Sequence, residues 1–304
     1  MEYRKIQLTG DSTYIVSLPK DWVRKNNLGK GDLLTIVEKG NELQLKLKEK
    51  KEKDIDIKIK TRDAEFLARL LITKYIQGYD TIVFSSKEHV DPKIREHLIK
   101  VSTYLIGLEP FGETKDTITF KMLMKGGSNL MESIERMHDL SILSLKELME
   151  DLENEAYDES ILNGIIQRDN EVDKFYFLIL RQLSATNGFE AIIWAQIAKS
   201  IERISDHIET IAELTKEGRR MKKEDLQVFK QYIDLYGDVM LTLKNLDLVM
   251  AEDILLKIEK IRAAGTSLKD NLDGVGRKNI LIYASLRRIG EYISDISESA
   301  INLS

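Results

Sequence analysis

The sequence predicts a multidomain chain: a small β-rich head at residues 1–53, a small α/β linker domain at 54–125, and an all-α body at 128–304. The body divides into a pair of three-helix bundles, 128–217 and 222–304. Three observations predict this. Short apolar strands separated by glycine turns fill the first fifty residues. Strands then alternate with helical patterns, the mark of an α/β unit. Only three prolines occur in 304 residues, which favours the long uninterrupted helices that the apolar spacing of the last 175 or so residues requires.

Composition narrows the function classes. Hydrophobic residues make up 42% of the chain, enough for two or three cores. There is no cysteine, which excludes a disulfide scaffold, thiolate metal sites and a cysteine nucleophile, and suits a reducing cytoplasm. Met1 is followed by Glu2, Arg4 and Lys5 with no apolar stretch behind them, so no signal peptide is read. The longest apolar runs, such as Phe175–Leu180, are far too short to span a bilayer, and a soluble protein is expected. The net charge of −5 is uneven. Residues 1–53 hold 12 Lys and Arg against 8 Asp and Glu, and the remainder holds 34 against 43. A basic head on an acidic body suits a head that meets an anion, nucleic acid being one.

In the head, Ile6 and Leu8, then Tyr14-Ile15-Val16, read as strands around a turn at Gly10-Asp11-Ser12. Pro19 opens a short helix to about Asn27, ended by Gly29 and Gly31. Leu33 to Val37 is a strand, Gly40-Asn41 a hairpin turn, and Leu43, Leu45 and Leu47 alternate with polar residues in a last strand. Lys5-Ile6 through Gly10, the Ile15-Val16-Ser17-Leu18-Pro19-Lys20 run, Leu28-Gly29-Lys30-Gly31-Asp32 and the closing hairpin resemble the AbrB/MazE/SpoVT family over about 45 residues. The resemblance implies a swapped-hairpin dimer, and many such domains bind DNA. Others only dimerise or grip a protein. A basic residue often follows the first glycine in the DNA-binding members; Asp11 and Ser12 stand there in this chain. A half-barrel this small buries little apolar surface alone, so a homodimer is expected. Arg4, Lys5, Lys20, Arg24 and Lys25 are the expected phosphate contacts, and their charge makes any DNA affinity steeply salt-dependent.

Lys48 to Lys53 is a charged linker. Ile55, Ile57 and Ile59 alternate with charged residues as a strand. Asp63 to Gln77 fits an amphipathic helix, with Phe66, Leu67, Leu70, Leu71 and Lys74 at helical spacing and Gly78 as its cap. Asp80 to Phe84 is a strand, Pro92 starts a second helix that stops near Gly107, and Thr117 to Met122 is a last strand. No Gly-rich phosphate loop and no metal-ligand spacing occur here. His89 and His97 are read as solvated, and the segment as a rigid adaptor between head and body.

The body holds six helices, at about 129–153, 157–184, 188–216, 222–246, 249–271 and 274–303, with breaks at Asn154-Glu155, Thr186-Asn187-Gly188, Gly218 and Gly274. Short connections favour antiparallel neighbours. Ile201 to Ile208 lies in register over Leu286 to Ile293, apolar on apolar, so the body is a tandem repeat. Glu202-Arg203-Ile204-Ser205-Asp206-His207 followed by Ile211-Ala212-Glu213 resembles the hallmark helix of the PhoU family. So does Gln167-Arg168-Asp169-Asn170-Glu171-Val172-Asp173-Lys174, followed by Phe177 and Arg181-Gln182-Leu183. The resemblance covers about 175 residues. It implies a cytoplasmic regulator of phosphate uptake that acts on a phosphate transporter or its signalling partners, and the combination with an AbrB-like head is associated with archaea. Some relatives carry multinuclear metal clusters on such acidic motifs.

The acids also carry a physical argument. Asp169 with Asp173, and Glu202 with Asp206, each put two carboxylates on one helix face. If the faces meet, four carboxylates repel one another unless protons or a cation neutralise them. An all-oxygen donor set on bundle helices suits iron, zinc, manganese or magnesium. His207 is either a ligand or a donor that orients Asp206. The second repeat departs from the pattern: Arg287 stands where Glu202 does, Glu291 keeps the second acid, and Asp253 and Lys257 stand where Asp169 and Asp173 do, so ion pairs and no metal are expected there. A carboxylate-bridged metalloenzyme would need paired Glu-x-x-His motifs. Glu135 and His138 have that spacing, yet no second copy exists. The expectation is therefore a regulator and not an enzyme: either a DNA-reading head on a sensing body, or an adaptor on a transporter with a head that only dimerises.

Overall fold

The computed structural model describes the chain except residues 1–2, 11–12, 27, 48–51, 125–128, 185, 187, 219, 222 and 270–279; at 39, 47, 223–225 and 264–269 it describes the backbone alone. The expected turn at Gly10-Asp11-Ser12, the helix end at Asn27, the charged linker from Lys48, the boundary at 125–128 and the breaks at Asn187 and Gly274 lie wholly or partly outside the described residues. The chain separates into two compact units, Met1–Lys51 and Glu52–Ser304.

The first unit is two hairpins and a helix. β1 (Gln7–Thr9) pairs antiparallel with β2 (Thr13–Ile15), α1 (Lys20–Lys25) follows, and β3 (Leu34–Lys39) pairs antiparallel with β4 (Glu42–Leu47). Gly40 takes the left-handed φ of 59° that lets this second hairpin close in so few residues. Among the described residues, none of the buried core lies in this unit. Tyr14 is 73% exposed, Leu43 71%, Ile6 72%, and Leu8, Leu33 and Ile36 are also exposed. The apolar alternation that makes these strands strands thus builds no buried core among the described residues of this unit.

The second unit begins with a four-stranded sheet. Its elements are β5 (Asp54–Lys58), α2 (Ala64–Ile76), β6 (Thr81–Ser85), α3 (Pro92–Ser102), β7 (Leu108–Glu113) and β8 (Thr117–Met122), in the spatial order β5-β6-β8-β7. Only β5 and β6 are parallel; β6–β8 and β8–β7 are antiparallel. β7 is absent from the sequence reading because Leu108-Glu-Pro-Phe-Gly-Glu carries Pro110 and Gly112. Both are poor strand formers, and they are tolerated because β7 is an edge strand with a register shift between them. Asp63 caps α2 by accepting from the Phe66 amide at 3.0 Å. The buried face of α2 is Leu67, Ala68, Leu71 and Tyr75, while Phe66 is 49% exposed and not a core residue. These pack on Ile82, Phe84, Ile118 and Phe120, the inward positions of β6 and β8. His97 is not solvated as read: it is half-buried, with Nε2 3.2 Å from Glu65 Oε1.

The body is α4 (Leu130–Glu153), α5 (Glu159–Leu183), α6 (Phe189–Lys216), α7 (Lys223–Asn245), α8 (Leu248–Lys269) and α9 (Ile280–Asn302). Asn129 opens α4 with a capping box: its side chain takes the Met131 amide, and Glu132 takes the Asn129 amide. Helices α4–α6 pack on one another, as do α7–α9, and α6 packs on α9 and α4 on α7. The two repeats therefore share one continuous core. The aligned positions meet in it: Ile201, Ile204, Ser205 and Ile208 on α6, and Leu286, Ile289, Gly290 and Ile293 on α9, are all buried. His138 is buried, its Nε2–H donating to the Tyr236 carbonyl at 2.9 Å, so the lone Glu-x-x-His spacing serves the α4–α7 seam.

Gly290 is required by close approach. A Cβ there would lie 2.6 Å from Tyr232 Cζ and 2.7 Å from its hydroxyl, and Tyr232 is itself buried, so its ring can yield only by repacking the core around it. Gly290→Ala is expected to cost about 2 kcal/mol, read as a lower urea midpoint with unchanged slope. A variant as stable as the parent would show that α7 and α9 can part freely.

The α/β layer is fastened to the bundle through α5. Arg181 Nη1 donates to the Tyr75 and Tyr79 carbonyls, each at 2.7 Å, and Nη2 pairs with Asp80 Oδ1 at 2.9 Å, with the guanidinium 5.0 Å from the Tyr75 ring centre. Phe177, one turn earlier, packs against the sheet-and-helix core.

Candidate functional site

The acidic face of α5 meets that of α6. Val172 and Ile179 on α5, with Ile201, Ile204 and Ile208 on α6, are buried and fix the rotation of both helices. That rotation turns Asp169 and Asp173 toward Glu202 and Asp206. Their charges act on one another, so the four carboxylates that the sequence pairs two by two occupy one place. Glu202 is buried, and Asp169, Asp173 and Asp206 are half-buried.

Electrostatics there are unfavourable to full ionisation. Burial, and then the charges of Asp169, Glu202 and Asp206, push the Asp173 carboxyl up to about 7. Burial raises Asp169 too, aided by Asp206 and Glu202 and opposed by the Ser205 side chain. A fifth acid joins them. Glu209 is pushed up to about 7 by burial and by Asp169, Glu213, Asp206 and Asp173. The sequence signal for it existed: 202, 206, 209 and 213 run along one helix stripe. Two bases answer the acids from α6 itself. Lys199 Nζ lies 2.6 Å from Glu202 Oε1, and Arg203 Nη1 lies 2.8 Å from Asp206 Oδ2. Five carboxylates thus face two cations. The buried Asp169 Oδ1 and Glu202 Oε2 have no hydrogen-bond partner.

The donor chemistry, all carboxylate with two buried oxygens that accept no hydrogen bond, Glu202 Oε2 among them with Arg203 Nε 3.7 Å away, fits a hard or borderline divalent cation. The side-chain arrangement does not yet chelate one: among the described residues, no three His, Asp or Glu side chains are grouped so as to hold a metal ion. Lys199 and Arg203 hold the neighbouring oxygens, Glu202 Oε1 and Asp206 Oδ2. The His207 ring stacks 5.9 Å from Tyr292, and burial and Arg288 lower its basicity against the pull of Asp206.

The equivalent place in the second repeat is laced by pairs within single helices. Asp253 meets Lys257 at 2.6 Å, and Glu291 meets Arg287 at 2.9 Å and Arg288 at 2.6 Å.

Residues 134–215 match the family model of the PhoU domain. This part of the chain is a PhoU domain. The acid cluster lies inside it, on its second and third helices. Residues 7–55 match the model for MazE, the antidote-toxin recognition antitoxin of bacteria. The crystal structure of the phosphate transport system regulatory protein PhoU from Streptococcus pneumoniae superposes with a TM-score of 0.51 at 18% identity, over 57% of this chain and 92% of that one. The likeness is one of fold, and it places the PhoU-type helical architecture in the body. No curated protein matches the chain in sequence.

In the MazE-like unit, Arg4, Lys5, Lys20, Arg24 and Lys25 are all exposed. Lys20 and Arg24 share one face of α1, with Lys25 beside them, while Arg4 and Lys5 lie on the extended segment before β1. Asp11 and Ser12 lie outside the described residues. No helix among the described residues is long and apolar enough to cross a membrane.

Proposed function

We propose that this protein is a regulator of phosphate transport, working in the cytoplasm as a homodimer whose MazE-like head contacts promoter DNA and whose PhoU body senses and signals. The observation that carries the reading is the PhoU domain at 134–215 joined in one chain to a MazE-like segment at 7–55. The exposed apolar strands of the head support its dimerisation, since a second copy supplies the core one copy lacks. The exposed Arg4, Lys5, Lys20, Arg24 and Lys25 support a contact with phosphates. The acid cluster supports a cation-responsive element in the body. A relative's name ties it to a phosphate transport system, and this body is read as acting on such a transporter or its signalling partner.

The test compares the full chain with the chain lacking residues 1–53 on promoter DNA of a phosphate-transport operon, at 50 and 200 mM salt. Neutralising Z phosphates gives a log–log salt slope of about −0.9Z, so five basic residues in each of two heads are expected to cost on the order of a thousand-fold or more in affinity across that range. The deletion is expected not to bind. Equal, weak binding by both forms would remove the DNA role and leave the head as a dimerisation device on a transporter adaptor.

A further inference from the structure

We infer that the open edge of β5 is a self-pairing surface, on which a second copy of this chain lays its own β5 antiparallel to build one continuous eight-stranded sheet.

β5 is the outer strand of its sheet and pairs only with β6 among the described residues. The Ile59 amide donates to the Ser85 carbonyl at 2.8 Å, which sets the alternation of backbone groups. Those of Ile55, Ile57 and Ile59 turn to β6, and those of Asp54, Asp56, Lys58 and Lys60 turn outward. All four outward residues are exposed. Edge strands are ordinarily blunted by proline, a bulge or irregularity, or by charges that repel a second strand. The opposite edge, β7, has both Pro110 and a register shift. β5 has neither.

The sequence of the edge names its occupant. Residues 54–60 read Asp-Ile-Asp-Ile-Lys-Ile-Lys. Turned antiparallel on a copy of itself about Ile57, Asp54 falls opposite Lys60 and Asp56 opposite Lys58. Ile55 falls opposite Ile59, and Ile57 opposite its own image. Every charge meets its opposite and every isoleucine meets an isoleucine. Because only outward residues can exchange hydrogen bonds, the pairing shifts in steps of two. One step either way sets Asp56 against Asp56 or Lys58 against Lys58. The charge pattern thus selects a single register, which an edge meant for any other partner has no need to encode. The half-buried isoleucines already pack on the core beneath α2 and α3, and pairing extends that apolar face across the two-fold. Within one copy, Lys58 Nζ rests 2.6 Å from Asp56 Oδ2 on the same strand; these exposed side chains can exchange that contact for one across the edge.

The chain contains no cysteine, so the register can be read by introduced thiols in the full-length protein. Ile57 and its image form a non-hydrogen-bonded pair, with Cα atoms about 4.5 Å apart, inside disulfide range. Ile57→Cys oxidised with diamide is expected to give a disulfide-linked dimer in high yield. Ile55→Cys and Ile59→Cys are expected to cross-link when mixed and not when each is alone. Phe111→Cys, exposed on the other edge, is expected to stay monomeric on a non-reducing gel. Charge supplies the second arm. Adding D54K/D56K to Ile57→Cys is expected to cut cross-linking at least ten-fold, and the full swap D54K/D56K/K58D/K60D to restore it, far-UV circular dichroism confirming each fold. The proposal is overturned if Ile57→Cys remains a free thiol, if Ile55→Cys links to itself as well as it does to Ile59→Cys, or if the charge swap fails to rescue a folded chain.

Discussion

Arg181→Ala is expected to lower the stability of the second unit by about 2–4 kcal/mol. The side chain makes three polar contacts from α5, and its loss strips partners from the Tyr75 and Tyr79 carbonyls and from Asp80 at once. Arg181 is 11% exposed and Asp80 31%, so solvent takes over only part of what is lost, which sets the range below that of a fully buried pair. The two carbonyls lie at the end of α2 and just beyond it, so the effect is local before it is global. Hydrogen exchange of the α2 amides is expected to rise while that of α6 and α9 changes little. Arg181→Lys keeps the charge without the fork and is expected to recover less than half of the stability. A cost below about 1 kcal/mol for Arg181→Ala would mean that Phe177 packing alone holds the layer to the bundle.

The second large effect is a gain. In EDTA at pH 8, Asp173→Asn is expected to stabilise the protein by about 1–2 kcal/mol, after discounting for solvent screening. The sign follows from linkage. The Asp173 carboxyl sits near 7 when folded and near its ordinary value of 3.8 when unfolded. The folded state therefore holds the proton more tightly, and stability falls as pH rises from about 4 through about 7. The advantage of the amide shrinks as pH is lowered and vanishes near pH 4. A divalent cation is the other neutraliser. If one binds, saturating manganese or magnesium raises the melting temperature of the parent at pH 8 and leaves the D169N/D173N variant unmoved. A parent whose melting curve ignores each divalent cation, with Asp173→Asn still stabilising in EDTA, leaves neutralisation to protons beside Lys199 and Arg203. The link to the rest of the molecule is short: Asp169, Asp173, Phe177 and Arg181 follow one another at four-residue steps along α5. The helix that carries the acids also carries the fastening of the α/β layer.

The amino-acid sequence by itself determined the elements and their repeat. Every helix of the body could be read from apolar spacing and from breaks such as Asn154-Glu155 and Gly218, because burial of a helix face is periodic along the chain. It also determined that Asp169, Asp173, Glu202 and Asp206 fall on two single-helix faces. It could not reveal β7, whose Pro110 and Gly112 are poor strand formers kept in a sheet only by a neighbour, nor that β8 would pair antiparallel between β6 and β7. It gave no sign that Arg181, read there only as part of a motif, reaches residues about a hundred positions away. Whether the two acidic faces meet, which bases answer them, and that Glu209 joins them depend on how α5 and α6 are rotated against each other. Interhelical packing decides that rotation, through contacts between residues distant in sequence, and no local pattern encodes it.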